Sequence, residues 1–223
     1  MIHATWHTVD AAPDLMESDV HVWWAPLAVS DAELSSLRAT LSAAEQERAD
    51  RYLEPERGRA AVVSRGVLRR LLASYLGRTP VSLELMDGAH GKPALACTKA
   101  GLHFNVSHAG DALLVAVALD RSVGVDVEDT QRDVEIEGLA ARYFTAEECA
   151  TVLRSEEPRA AFFRAWVRKE AVLKARGTGF ETTEHSTDGW RIVDLQADER
   201  YPAAVVVPVG PLALRLLRTR LSD

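Results

Sequence analysis

The chain has 223 residues, which is enough for one large domain or two small ones. Its net charge is −7, from 26 lysines and arginines against 33 aspartates and glutamates. Nucleic-acid-binding proteins usually carry a basic excess, and no apolar run reaches membrane-spanning length, so we expect neither a nucleic acid nor a membrane as partner. Cys97 and Cys149 lack metal-binding spacing and no signal peptide is evident, which indicates reduced thiols in a cytoplasmic protein.

The first half of the chain combines an early strand, helices and a pair of strands. Ser30 and Glu33 form a capping box, the usual start of a helix. A second box, Ser42 with Glu45, begins the next helix at once. Gly77 ends a long amphipathic helix. The predicted elements are a strand at 20–24, helices at 30–41 and from 42, a long helix at 57–76, and strands at 102–106 and 112–119 around a turn at 107–111.

The second half contains similar signals. Thr145 with Glu148 is another N-terminal cap, Pro158 fits the first turn of a further helix, and Gly177 closes that helix. The predicted elements are a strand at 124–128, helices from 145 and from 158, and strands at 192–195, 203–209 and 212–217.

Residues 42–72 echo residues 145–173. Each segment has a capped short helix, a Glu-Pro pair, an Arg-Ala-Ala run and a later basic pair. Short echoes also arise by chance in sequence rich in alanine and arginine. If this echo is a true repeat, it predicts two related halves, residues 1–120 and 121–223, that meet about a pseudo-twofold axis. A cleft between such halves is a natural ligand site.

An acidic strand is predicted at 124–128. Asp126 and Glu128 alternate with Val125 and Val127, which is the period-two pattern of a strand and directs both carboxylates to one face. Adjacent carboxylates repel each other, and a hard divalent cation such as Mg²⁺ is the commonest reason to hold them together. The alternative is a half-buried edge strand with a solvated acidic face.

Trp166, Glu170 and Lys174 are four residues apart and share one face of the later long helix. Glu170 would add a third carboxylate to Asp126 and Glu128, and Lys174 would neutralise an adjacent phosphate. The alternative is a surface glutamate–lysine pair that contributes only a few tenths of a kcal/mol.

Ser107 and His108 follow a predicted strand and precede a glycine. Adjacent residues rarely meet as nucleophile and base, and the sequence has no Gly-x-Ser-x-Gly elbow. Hydrogen bonding to a phosphate is the favoured use of this pair. Lys92 lies in a short rigid turn, Gly91-Lys92-Pro93, and is by itself a weak signal.

Taken in order, these motifs resemble the 4′-phosphopantetheinyl transferases of the surfactin-synthetase (Sfp) type. The motifs are Gly91-Lys92-Pro93, Phe104-Asn105-Val106-Ser107-His108, Gly124-Val125-Asp126-Val127-Glu128, and the Trp166, Lys169, Glu170 and Lys174 series. The resemblance covers nearly the whole chain. It implies an α+β fold, a pseudo-dimer of two similar halves with the active site in the cleft between them.

The resemblance also implies the reaction. Coenzyme A would donate its 4′-phosphopantetheine arm to a serine of an apo acyl or peptidyl carrier protein, releasing adenosine 3′,5′-bisphosphate. Asp126, Glu128 and Glu170 would then hold Mg²⁺, with Mn²⁺ also possible. Glu170 is the expected general base and Lys174 the residue that stabilises the pyrophosphate.

Lys92, Ser107 and His108 are the coenzyme contacts that the resemblance implies. In one respect the chain departs from the family, because Ala60 occupies the position of an arginine that binds the 3′-phosphate of coenzyme A. Arg59 is the predicted replacement, with Arg57 or Arg48 as alternatives.

The implied partner is a small acidic carrier domain, and we expect the enzyme to act as a monomer. The segment 131–144 contains Ile136, Leu139, Tyr143 and Phe144, which either dock a carrier helix or fill the local core. Two other functions use the same residues. One is a Mg²⁺-dependent phosphodiester or pyrophosphate hydrolase, and the other is a non-catalytic module that binds coenzyme or carrier.

Overall fold

The computed structural model describes residues 5–88, 93–96, 101–177 and 186–219. The predicted α+β class is confirmed. In chain order the elements are β1 (His7–Val9), β2 (Asp19–Pro26), α1 (Asp31–Arg38), α2 (Ala43–Asp50), α3 (Pro55–Leu76), a 3₁₀ turn (Pro80–Ser82), β3 (Leu85–Asp87), β4 (Pro93–Leu95), β5 (Leu102–Ala109), β6 (Ala112–Leu119), β7 (Gly124–Val127), α4 (Ile136–Tyr143), α5 (Ala146–Leu153), α6 (Pro158–Arg176), β8 (Trp190–Asp198), β9 (Tyr201–Pro208) and β10 (Ala213–Thr219). No helix among these residues is both long and apolar enough to cross a membrane.

The predicted helix caps are present. Ser30, Ser42 and Thr145 each begin a helix with both hydrogen bonds of a capping box. Gly77 and Gly177 end α3 and α6 in the left-handed conformation, at φ of 59° and 73°, which glycine adopts without a steric penalty. Local sequence therefore defines where these helices begin and where the two long ones end.

The turn after β5 is shorter than predicted. β5 continues to Ala109, so Ser107 and His108 lie in the strand and pair with β6. Gly110 and Asp111 alone form the turn, with Gly110 at φ 53°. Because successive strand residues face opposite sides, Ser107 is buried and His108 is exposed.

Two larger sheets form the centre of the molecule. The first has the strand order β1-β10-β2-β6-β5, and the second has the order β7-β9-β8. β10 lies between β1 and β2 and is parallel to both, whereas the other pairings in these sheets are antiparallel. The last described strand thus returns to the sheet that the first strands begin. β3 and β4 form a separate hairpin.

The described elements stack as helices, sheet, sheet and helix. Helices α1 to α3 cover one face of the first sheet, where Trp23, Leu72 and Leu113 are buried together. The other face packs on the second sheet through an apolar layer of mainly valine and alanine side chains. Helix α6 covers the far face of the second sheet, with Ala171 against Val206. This stacking places β7 between the first sheet and α6.

Two hydrogen bonds from the backbone of the edge strand β7 to side chains of β5 join these two strands. The N–H of Val125 donates to Asn105 Oδ1 at 2.8 Å, and the N–H of Val127 donates to Ser107 Oγ at 3.4 Å. Buried backbone donors need an acceptor, and here two β5 side chains supply it in place of a backbone ladder. The first and second sheets are therefore held in a defined register at this point.

Gly124 lets α6 lie directly on β7. A Cβ atom at this position would be 2.0 Å from the Ala171 carbonyl oxygen and 2.5 Å from the Ala175 backbone nitrogen, far inside van der Waals contact. Only glycine leaves room for the helix backbone here. This close approach carries Glu170 and Lys174 of α6 to β7.

We predict that Gly124→Ala destabilises the protein by about 3 kcal/mol or more, because the helix must move away from the strand. Urea unfolding followed by circular dichroism measures the change. Gly210→Ala is the matched control: a Cβ there meets nothing within 4 Å among the described atoms, so its effect should stay within about 0.5 kcal/mol. Equal effects of the two substitutions would contradict the proposed packing.

Candidate functional site

The acidic strand is buried, not solvated. Asp126 is 2% exposed and Glu128, directly after β7, is 7% exposed, so the alternative of a solvated acidic face is wrong. The predicted alternation is present, because Val125 and Val127 lie in the apolar layer between the sheets. Burying carboxylates without partners is costly, so the groups around them determine what they do.

Two side chains form hydrogen bonds with Asp126, and a third lies close to one of them. Its Oδ1 accepts hydrogen bonds from Ser107 Oγ at 2.7 Å and from Lys174 Nζ at 2.6 Å. Lys174 Nζ also lies 3.0 Å from Ser107 Oγ and 3.8 Å from Glu170 Oε2. The Lys174 and Glu170 side chains are 28% and 20% exposed. The structure thus joins four of the predicted residues in one half-buried cluster, unlike a solvated surface pair.

Burial dominates the ionisation of this cluster. It raises the pKa of Asp126 above its ordinary value, against the opposing positive charge of Lys174. It also raises the pKa of Glu128. Burial, followed by the negative charge of Asp126, raises the pKa of Glu170 to about 7. A carboxyl that titrates near neutral pH is suited to accept and release a proton there.

The oxygen atoms of the acidic strand fit a divalent cation in part. Asp126 Oδ2 and Glu128 Oε2 are buried without a hydrogen-bond partner among the described residues, although Arg132 Nη1 lies 3.4 Å from Glu128 Oε2. Such carboxylate oxygens suit Mg²⁺ chemically. Glu170 is paired with Lys174, and across the described ranges no three acidic, histidine or cysteine side chains converge closely enough to hold a metal ion. Two of the three predicted ligands therefore fit.

Two cavities meet at His108. One has a volume of about 420 Å³ and lies over α2 and α3, and the other has a volume of about 410 Å³ and lies beside Glu128. Their arginines are Arg48, Arg57 and Arg65 in the first and Arg132 and Arg200 in the second. Partial burial and the charge of Lys174 lower the pKa of His108. Its ring lies between a cavity in which arginines outnumber acids and a cavity in which Glu128 and Asp129 balance Arg132 and Arg200.

Arg59 lies on another face of α3. Its Nη1 is 2.7 Å from Asp31 Oδ1, and its Nη2 donates to the Val29 carbonyl. It lines a separate cavity of about 250 Å³ between the helices. Ala60, at the position of the family arginine, lines the 420 Å³ cavity instead. Lys92 lies outside the described residues.

Sequence reasoning missed several contacts near the site, within the second sheet and between the two sheets. Asn105 bonds the β7 backbone. The Arg200 guanidinium donates two hydrogen bonds to the Asp129 carboxylate at 2.8 and 2.6 Å. The N–H of Asp111 donates to the Tyr201 hydroxyl at 3.1 Å. The last two pairs are 71 and 90 residues apart, so no spacing pattern could identify them.

Helix α4 packs into the local core. Ile136, Leu139 and Tyr143 are partly buried against a cluster that contains Phe162 and Trp166. These contacts favour the local-core interpretation of this segment over a carrier-docking surface.

The raised pKa of Glu170 predicts that the stability of the protein depends on pH. Its folded-state pKa of about 7 lies above the ordinary 4.5, so the folded chain holds this proton more tightly than the unfolded chain. The stabilisation is complete at a pH below the ordinary pKa, and it is lost as the pH rises through the folded-state pKa. Urea unfolding of wild type and Glu170→Gln, with a chelator and from about pH 5 to about pH 8, should give a wild-type-minus-variant difference that falls with pH. A constant difference would contradict this prediction.

Comparison with known proteins gives matches along most of the chain. The model of the 4′-phosphopantetheinyl transferase superfamily matches residues 122–207. A second model, described as 4′-phosphopantetheinyl transferase, N-terminal, matches residues 23–120.

Three relatives illustrate the similarity. The 4′-phosphopantetheinyl transferase HetI of Nostoc sp. is 34% identical over 93% of this chain and 95% of its own length. The 4′-phosphopantetheinyl transferase AcpT of Salmonella typhimurium is 35% identical over 62% of this chain and 66% of its own. The human L-aminoadipate-semialdehyde dehydrogenase-phosphopantetheinyl transferase is 29% identical over 70% and 53%, respectively. On the near-complete match to HetI, this chain belongs to the 4′-phosphopantetheinyl transferase family.

Proposed function

We propose that this chain transfers the 4′-phosphopantetheine arm of coenzyme A to a serine of an apo acyl or peptidyl carrier protein. The serine oxygen forms a bond to the β-phosphorus, and the bond from that phosphorus to the bridging oxygen breaks. Adenosine 3′,5′-bisphosphate leaves with the electron pair. The half-buried cluster of Asp126, Glu170 and Lys174, in a chain of this family, is the observation that supports this reaction.

The arrangement of strands supports two related halves with the site between them. In each half one strand is followed by three helices and a hairpin, and the sheet orders β2-β6-β5 and β7-β9-β8 correspond. The capping glutamates of α2 and α5 each pair with a basic side chain of the next long helix. These pairs are Glu45 with Arg69 and Glu148 with Lys169. We propose a boundary near residue 120, with β10 returning to the first sheet.

Matching arginines of the echo support the same proposal. Arg59 donates to the carbonyl of Val29, ahead of α1, and Arg159 donates to the carbonyl of Thr130, ahead of α4. Both arginines thus fasten a long helix to the segment that precedes its helical group. This structural use favours Arg48 or Arg57, rather than Arg59, for the 3′-phosphate of coenzyme A.

The 420 Å³ cavity is the proposed coenzyme site. Arg48, Arg57 and Arg65 supply positive charge along one wall, and His108 lies at the boundary with the second cavity. Guanidinium groups bind phosphate oxygens through two parallel hydrogen bonds. A coenzyme with its 3′-phosphate among these arginines would extend its pyrophosphate toward His108 and then Lys174. Lys92 stays a predicted contact of the same coenzyme.

Proton transfer is assigned to Glu170. Its raised pKa, of about 7, suits a base that accepts the serine proton near neutral pH. Lys174 lies between Glu170 and Asp126, where its ammonium group stabilises charge on the pyrophosphate. Asp126 and Glu128 are the proposed holders of Mg²⁺ or Mn²⁺, with Glu170 as the predicted third ligand. When bound, the cation would neutralise negative charge on the phosphate oxygens.

We also propose the Sfp type, since the motifs occur in that order within one chain. Both walls of the proposed site come from a single copy, which supports a monomer in solution. Cys97 and Cys149 stand alone in the sequence, without metal-binding spacing, which supports a reducing, cytoplasmic location.

The reaction is tested by incubating the protein with coenzyme A, Mg²⁺ and an apo carrier and measuring the carrier by mass spectrometry. We expect the mass of one phosphopantetheine arm to be added. Glu170→Gln should slow the transfer by about 100-fold or more, whereas Glu84→Gln, an exposed acid, should not. Coenzyme cleavage without carrier labelling would instead support a hydrolase, and binding without chemistry a non-catalytic module.

The arginine assignment is tested by the KM for coenzyme A. Arg48→Ala and Arg57→Ala should raise it about tenfold, the effect of losing about 1.4 kcal/mol of phosphate binding. Arg59→Ala should change it less than twofold. With 3′-dephospho-coenzyme A the Arg48 and Arg57 effects should disappear. A large effect of Arg59→Ala alone, dependent on the 3′-phosphate, would instead support Arg59 as the residue that binds this phosphate.

A further inference from the structure

The hydroxyl of Ser107 makes all the hydrogen bonds it can make within the protein. A serine hydroxyl has one proton to donate and two lone pairs to accept. Its proton goes to Asp126 Oδ1, at 2.7 Å. Its lone pairs accept from Lys174 Nζ, at 3.0 Å, and from the N–H of Val127, at 3.4 Å. The side chain is also buried, at 6% exposure, so a coenzyme contact would have to displace one of these partners.

The contacts of Ser107 make the two oxygens of Asp126 unequal. Oδ1 accepts from both Ser107 and Lys174, whereas Oδ2 is buried without a hydrogen-bond partner among the described residues. With Oδ1 bonded to two side chains from two different elements, the carboxylate has little freedom to rotate about its Cβ–Cγ bond. The orientation of the unsatisfied Oδ2 atom is therefore fixed.

Ser107 itself is held in place by the backbone. It lies opposite Leu114 in the β5–β6 ladder, and its neighbour Asn105 anchors the N–H of Val125. A strand position with this support leaves the hydroxyl little freedom to move. Such rigidity suits an orienting group better than a group that must follow a bound molecule.

We propose that Ser107 is a positioning residue that orients Asp126, so that Oδ1 meets Lys174 and Oδ2 is presented to a divalent cation. The proposal rests on the cation that the proposed function assigns to Asp126 and Glu128. It differs from the sequence expectation, in which Ser107 touches coenzyme A. The two assignments predict opposite effects of the same substitution on cation binding and on coenzyme binding.

The experiment measures Mn²⁺ binding alone, by the electron paramagnetic resonance signal of the free ion, without coenzyme or carrier. Ser107→Ala should weaken Mn²⁺ binding about tenfold, the usual effect of removing a group that orients a ligand. Ser107→Thr, which keeps the hydroxyl, should recover most of this loss. The KM for coenzyme A at saturating Mn²⁺ should change less than twofold in Ser107→Ala.

His108→Ala is the matched control, since it changes the adjacent residue of the same strand. It should leave Mn²⁺ binding unchanged and raise the KM for coenzyme A. A Ser107→Ala protein with normal Mn²⁺ binding and a raised KM would overturn the positioning role, even where the wild type labels its carrier normally. Wild-type protein that transfers the arm but binds no Mn²⁺ would overturn it as well, while leaving the transfer reaction standing.

A measurement on the unaltered protein covers the case in which Ser107→Ala does not fold. In a crystal structure of the wild type with coenzyme A and Mn²⁺, Ser107 Oγ should remain within hydrogen-bond distance of Asp126 Oδ1, with Mn²⁺ on Oδ2. A hydrogen bond from Ser107 Oγ to a coenzyme oxygen would overturn the proposal.

Discussion

The ion pair between Asp126 and Lys174 is the interaction on which the site depends. Asp126 is almost fully buried, and the two charged atoms are 2.6 Å apart. Removing a carboxylate from water costs several kcal/mol unless a partner of opposite charge and further hydrogen bonds compensate. Lys174 supplies the charge from α6, and Ser107 supplies a hydrogen bond from β5. Three segments distant in sequence must therefore meet at one point.

This requirement accounts for two features of the fold. Gly124 removes a side chain where α6 crosses β7, because a Cβ atom would be 2.0 Å from the helix backbone. Asn105 and Ser107 bond the free backbone edge of β7, which ties the first sheet to the second. Helix, edge strand and first sheet are thus fixed relative to one another where the carboxylates lie. The arginine-lined cavities open on either side of His108 beside this fixed point.

The sequence predicted what local chemistry determines. Capping boxes at Ser30, Ser42 and Thr145, and the spacing of Glu170 and Lys174, depend on neighbours in the chain, and all are present. The burial of the acidic strand, the helix face of Arg59 and the return of β10 to the first sheet depend on tertiary packing. The alternation of residues along a strand shows on which face of the sheet a side chain lies. It does not show whether another element covers that face. For the same reason no pattern indicated that Ser107 faces Asp126.

Asp126 and Lys174 should stabilise each other in the folded protein, and a double-mutant cycle measures this coupling. Unfolding free energies of Asp126→Asn, Lys174→Met and the double variant are compared with wild type at about pH 8, well above the ordinary pKa of an aspartate. Lys174→Met should cost about 3 kcal/mol, because it leaves the buried Asp126 carboxylate without its positive partner. Asp126→Asn should also destabilise the protein, because Lys174 loses the carboxylate 2.6 Å from its Nζ. The double variant should recover about 2 kcal/mol of the summed loss. Additive effects, within about 0.5 kcal/mol, would contradict the account.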